Sequence, residues 1–132
     1  MHYFEAVTTD LFRLYGPAGE GLAEQDVSRW SEVTGLDRGT LYDQIALFLA
    51  RGFHNGELPF DFCDGIVNDI HGVITFADEC RPEIYWETYL AFDEGEYYHD
   101  NNREEDPVEL YTKPQIARIV AKHGEPDASH NS

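Results

Sequence analysis

Between Asp93 and Asp106 the chain reads DEGEYYHDNNREED: seven carboxylates, two tyrosines and a histidine against one arginine. Such side chains lend themselves first to metal binding. Helical metal centres draw inward carboxylates and histidines from several helices, and Glu-x-x-His pairs are their sequence trace. Glu96 and His99 have that spacing, and Asp64, Asp69 and His71 add oxygen and nitrogen ligands. On an ideal helix, though, Asp64 and Asp69 point about 140° apart. The Glu96–His99 pair also follows Gly95, at an expected helix end. The ligand pattern is incomplete, so neither a metal nor a cofactor is expected.

Acid–base hydrolysis is the second chemistry. Any of Glu83, Glu87, Glu94 and Glu96 could serve if burial raised its pKa. In a chain with 26 Asp and Glu, close acidic pairs arise from composition alone. Nucleophilic catalysis lacks its context: there is no G-x-S-x-G elbow, and neither Cys63 nor Cys80 has a legible histidine partner. Phosphate loops of the GxxxxGK[ST] and GxGxxG kinds are missing too, and GPAGEG at 16–21 follows a helical pattern and reads as a turn. The expectation is a non-enzyme. A carboxylate-metal or hydrolytic site around Asp64, His71, Glu96 and His99 is the competing reading.

Charge points elsewhere. Against 9 Lys and Arg the 26 acids give a formal charge of −17. Residues 1–60 carry nine acids and four bases, and residues 61–132 carry seventeen and five, so the two parts stand at −5 and −12. Such a surface repels phosphate backbones and anionic lipid and attracts a basic partner over roughly a Debye length. VSRWSEVTGLDRGTLYDQIALFL outlines a helix-turn-helix, but from Asp37 onward it offers only Arg38 and Gln44 before turning apolar. Nucleic-acid binding is not expected without the basic contacts that drive it. Aromatics and acids instead interleave: Trp86, Tyr89, Phe92, Tyr97 and Tyr98 among Glu83, Glu87, Asp93, Glu94, Glu96 and Asp100. Rigid aromatics anchor interfaces, while carboxylates speed encounter and pair with lysine or arginine. The expected partner-binding set is Glu83, Glu87, Asp93, Glu94, Glu96, Tyr97, Tyr98 and Asp100, facing a basic protein. Taken singly, Trp86, Tyr89 and Tyr97 read better as core residues, with the acids as a solvated face. A structural or adaptor protein using the aromatics alone is the third reading.

The elements that must position these residues are helical. With 42% apolar and 14% aromatic residues the chain has material for a core, so one folded domain over 1–123 is expected. Phe4, Val7, Leu11, Leu14 and Tyr15 recur at i, i+3, i+4 spacing, and Gly16-Pro17 stops that helix. Leu22, Val27, Trp30 and Val33 predict a second, closed near Gly35. Asp37 caps a third with the clean face Leu41, Ile45, Phe48, Leu49 and Phe53, which ends at Asn55-Gly56. Pro59 reads as a first-turn proline for a fourth helix carrying Phe60, Cys63, Ile66, Val67, Ile70, Val73 and Ile74. Gly65 and Gly72 weaken it, and HGVITF alone could be a strand, but the helical period holds from Phe60 onward. Pro82 opens a fifth, with Trp86, Tyr89, Leu90 and Asp93 on one side together with Tyr97. Residues 99–109 read as a polar link. Thr112 is then the expected N-cap of a last helix, with Pro114 in its first turn, Gln115 at the capping-box position and Ile116, Ile119 and Val120 facing inward. Residues 124–132 are expected to form a disordered tail. The sum is an all-α bundle of five or six helices. The lone cysteines exclude a disulfide framework, and no apolar run is long enough for a membrane span. A cytoplasmic monomer or weak homodimer is expected.

The stretch LARGFHNGELPFDFCDGIVNDI at 49–70, followed by PEIYWETYLAFDEGEY at 82–97, resembles the bacterial toxin-immunity proteins, particularly small helical-bundle inhibitors of the colicin D immunity type. The likeness lies in a hydrophobic helix ending at a polar-Gly turn, then a helix carrying Phe60, Phe62 and Asp64, and it spans residues 41–97. The resemblance implies an acidic protein that blocks a cationic nuclease toxin by occupying its substrate site. It assigns no role to any single residue.

Overall fold

A computed structural model describes residues 4–96 and 106–123. They form six α-helices: α1 Phe4–Leu14, α2 Glu24–Thr34, α3 Arg38–His54, α4 Phe60–Ala77, α5 Glu83–Asp93 and α6 Lys113–His123. A π-helical turn, Val108–Thr112, runs directly into α6. No strand occurs among the described residues, so the all-α bundle read from apolar periodicity is the observed architecture. No helix there is long and apolar enough to cross a membrane.

Local chemistry sets most of the boundaries. Gly35, in left-handed conformation at φ 76°, closes α2. Asp37 caps α3, its carboxylate accepting the Thr40 amide at 3.2 Å. Asp78 ends α4 at φ 58°, a conformation that Asp tolerates better than most residues. Pro59 and Pro82 each sit one residue before the helical run, in extended conformation. Pro59 is thus outside the first turn expected for it. The segment HGVITF is helix throughout, since its apolar residues continue the face begun at Phe60.

α3 is the axis of the bundle and packs against α2, α4, α5 and α6. Leu41, Ile45, Ala46, Leu49 and Ala50 on α3 are buried against Ile66, Val67 and Ile70 of α4, Tyr85 and Phe92 of α5, and Ile116 of α6 within one core. Phe48 and Phe53, expected on the same clean face, are only partly buried. Hydrogen bonds complete the core. The Tyr85 hydroxyl donates to the Val67 carbonyl at 2.7 Å and the Thr112 hydroxyl to that of Ala91 at 2.7 Å, both away from water.

The second of these bonds overturns an expectation. Thr112 is not an N-cap: helical structure begins several residues earlier, and its hydroxyl reaches α5 rather than its own chain. Gln115 therefore makes no capping box and donates across to the Glu94 carboxylate. The C-terminal part of the expected polar link, from Val108, is helical, and the part at 99–105 lies outside the described residues, as does the tail at 124–132. Gly95, read as the fraying end of α5, is buried at a crossing. A Cβ there would come within 2.3 Å of Thr112 Oγ1 and 3.0 Å of Phe60. Glycine is what lets the end of α5 lie against the π turn.

Because Leu49 is wholly buried, Leu49→Asp places an unpaired carboxylate in the centre of the bundle. The expected loss is on the order of 4 kcal/mol, read as collapse of the cooperative thermal transition in circular dichroism. A melting temperature near that of the parent would mean that α3 turns a different face inward.

Candidate functional site

Three faces of α5 meet three environments. At about 100° per residue, Tyr85, Thr88, Ala91 and Phe92 fall together, and all four are buried. Glu83, Glu87, Leu90 and Glu94 form a second stripe beside α6. Trp86, Tyr89 and Asp93 form a third, beside α4, which Glu96 extends just past the helix. The predicted acidic set is therefore split in two.

Beside α6 the acids already have partners. Lys122 Nζ lies 3.8 Å from Glu83 Oε2 and 3.6 Å from Glu87 Oε2, His123 Nε2 lies 3.6 Å from Glu87 Oε1, and Gln115 holds Glu94. Below them runs a groove of about 290 Å³ lined by Glu87, Leu90, Gln115, Arg118, Ile119 and Lys122.

Beside α4 the arrangement differs. Three near-parallel rings cluster there: Tyr89 lies 4.7 Å from His71 at 17° and 5.0 Å from Trp86 at 12°, and His71 and Trp86 are themselves 5.9 Å apart. Arg81 covers the far side of this half-buried ladder, its guanidinium carbon 4.1 Å from the Trp86 ring centre. Three carboxyls stand at the other end: Asp64 from α4, Asp93 from the last turn of α5, and Glu96. The Asn68 amide donates to Glu96 Oε2 at 2.9 Å and to the Asp64 carbonyl at 2.8 Å, which joins the two helices. Among the described residues no lysine or arginine forms an ion pair with any of the three.

The electrostatic consequence is legible in their protonation. Burial, then the hydrogen bond and charge of Glu96, push the Asp64 carboxyl up to about 8, so it holds a proton where most aspartates have lost theirs. One of its oxygens, Oδ1, is shut off from solvent and has no hydrogen-bond partner. Asp93 is raised by burial and then by the charges of Glu96 and Glu94, against a smaller opposing effect of His71. Tyr89 is raised by burial and by the charges of Asp93, Glu96 and Asp64. Among the described residues this corner concentrates negative potential, with only a small opposing effect from His71.

Of the predicted partner-binding residues, Asp93 and Glu96 stand in this corner, while Glu83, Glu87 and Glu94 face α6. Tyr97, Tyr98 and Asp100 lie outside the described residues, and so does His99 of the competing metal reading. Asp64 and Glu96 from that reading do meet, but His71 turns its ring onto Tyr89. Asp69 leaves on the opposite side of α4 and accepts the Tyr15 hydroxyl at 2.6 Å. The predicted set omitted Asp64, Asn68 and His71. Their spacing, i, i+4 and i+7 on α4, is the one signal that placed them on a common face. No family model, curated protein or solved structure matches the chain.

The corner costs stability in a pH-dependent way. A carboxyl whose pKa is higher in the folded than in the unfolded chain binds more protons when folded, so stability falls as pH rises from about 4 towards 8. Asp64→Asn removes that loss. The variant should match the parent near pH 4 and exceed it by about 1 kcal/mol at pH 9, a figure reduced for the half-exposed setting. Urea melts across that pH range give the measurement. A constant difference between the two proteins at every pH would mean that Asp64 titrates normally.

Proposed function

We propose that this chain is a non-enzymatic acidic inhibitor that binds a basic protein through the α4–α5 face. Lysine or arginine side chains of the partner enter the Asp64, Asp93 and Glu96 corner, and His71, Tyr89 and Trp86 supply the flat surface beside it. The observation behind this reading is the contrast along α5. Acids facing α6 are neutralised from within, whereas those facing α4 pair with no lysine or arginine among the described residues and force a proton onto Asp64. Folding alone gives no reason to keep such a corner, because it lowers stability. A cation brought by a partner removes the repulsion and gains charge-assisted hydrogen bonds.

The resemblance to immunity proteins narrows the partner to a cognate toxin with a cationic, nucleic-acid-binding cleft. Asp93 and Glu96, joined by Asp64 once a partner cation displaces its proton, stand in for backbone phosphates, so the inhibitor would block such a cleft by occupying it. A charge of −17 supports rapid encounter with that partner.

The test is stopped-flow association with a basic nuclease toxin domain, followed across a salt series. Neutralising Asp64, Asp93 and Glu96 together as amides should slow association tenfold or more and flatten the salt dependence. Glu83→Gln with Glu87→Gln should change both little, since those acids are paired within the fold. Circular dichroism should show the same helical content in all three proteins, because exposed ionic groups contribute little to stability. Equal effects of the two variants would move the interface to the α5–α6 edge. Undiminished binding after the triple change would favour the adaptor reading, in which aromatics alone make the contact.

A further inference from the structure

Where the start of α5 meets the end of α6, two carboxylates and an imidazole converge. Glu83 and Glu87 are one turn apart on α5, and His123 is on the last turn of α6. One ligand atom from each lies within 4.8 Å of the other two. His123 Nε2 is buried, without a hydrogen-bond partner, and 3.6 Å from Glu87 Oε1. That separation is too long for a hydrogen bond. It is close to the roughly 3.4 Å between two ligands of one tetrahedral zinc ion.

We propose that Glu83, Glu87 and His123 form a binding site for a divalent transition-metal ion of the zinc class, clipping the end of α6 to the start of α5. Three atoms no more than 4.8 Å apart share a centre within about 2.8 Å, so side-chain shifts of about 0.8 Å bring each to bonding distance. The ligand types, an imidazole nitrogen and two carboxylate oxygens, suit zinc, with water completing the shell. Asp43 on α3 stands close enough to sense the charges of both His123 and Glu83, and it adds negative potential while accepting the Tyr85 amide at 2.8 Å.

Lys122 is the competitor. Its ammonium lies 3.6 and 3.8 Å from the same two carboxylates, beyond hydrogen-bond distance, on a side chain 59% exposed. A metal ion entering the cluster sends that ammonium back to water. The site therefore makes an unusual demand: deleting the lysine charge must strengthen metal binding.

The two ligand segments lie more than thirty positions apart in the chain. No local Glu-x-x-His spacing marks them, and only the crossing of α5 with α6 brings them together. The site is also separate from the α4–α5 corner, so the proposed partner binding can fail without affecting it.

Isothermal titration of the full-length protein with zinc chloride is the direct experiment. The expected result is one saturable site of micromolar affinity or tighter, weakened at least tenfold by His123→Ala and by Glu83→Gln, and tightened severalfold by Lys122→Gln. Glu83 is 71% exposed, so its substitution tests the ligand without endangering the fold. Zinc should also raise the melting temperature of the parent and leave that of His123→Ala unchanged. Failure to saturate at 100-fold excess, equal affinity in parent and His123→Ala, or weaker binding by Lys122→Gln would each overturn the site.

Discussion

The rotation of α5 about its own axis is the constraint from which the rest of the C-terminal half follows. Tyr85 and Phe92 are wholly buried, and the Tyr85 hydroxyl is tied to the Val67 carbonyl inside the core. Turning α5 by even one residue position would pull that hydroxyl off its acceptor and bring Trp86 or Ile84 into the space Tyr85 fills. A buried polar group left unpaired costs about 1–3 kcal/mol, so the rotation has one acceptable value. With it set, Glu83, Glu87 and Glu94 must look towards α6 and Asp93 towards α4. The π turn before α6 belongs to the same arrangement: Thr112 fastens it to the Ala91 carbonyl, and Gly95 leaves room for it.

A chain with nine lysines and arginines for 26 acids cannot neutralise every acid. Where the cations stand is informative. Arg29 holds Asp10 and Asp26, joining α1 to α2. Arg38 grips Glu24 with two nitrogens and Glu79 with a third, and Tyr42 closes the ring by donating to Glu79 at 2.7 Å. Lys113 pairs with Glu109 and Lys122 with the α5 acids. Most of these ties cross from one element to another. The α4–α5 corner receives none of them, and its negative charge is therefore directed outward.

That corner and the neighbouring aromatic ladder also show how a fold can carry a costly group. Asp64 lies next to Cys63, which is buried and donates to the Leu49 carbonyl at 3.7 Å, so the backbone of α4 there is anchored deep in the core. Rigid support of this kind holds three carboxyls close together with no lysine or arginine paired to them among the described residues.

Helix existence and most helix ends were legible from residue order, because they depend on neighbours within one or two turns. Apolar period marked α1, α3 and α4, and Gly35, Asp37 and Asn55-Gly56 act on backbone groups a few residues away. The rotation of α5 was not legible, since Tyr85, Trp86, Tyr89, Leu90 and Phe92 put aromatic or aliphatic surface on every side of that helix. Nor was the role of Thr112. Its run of Thr, Pro and Gln has the local form of a helix start, and only the Ala91 carbonyl, twenty-one positions away, decides otherwise. The acidic composition and its concentration after residue 60 were fixed by the residues themselves. Which acids are answered from within and which face outward was decided by tertiary structure, because ion pairing requires contact within about 4 Å between groups that the chain keeps far apart.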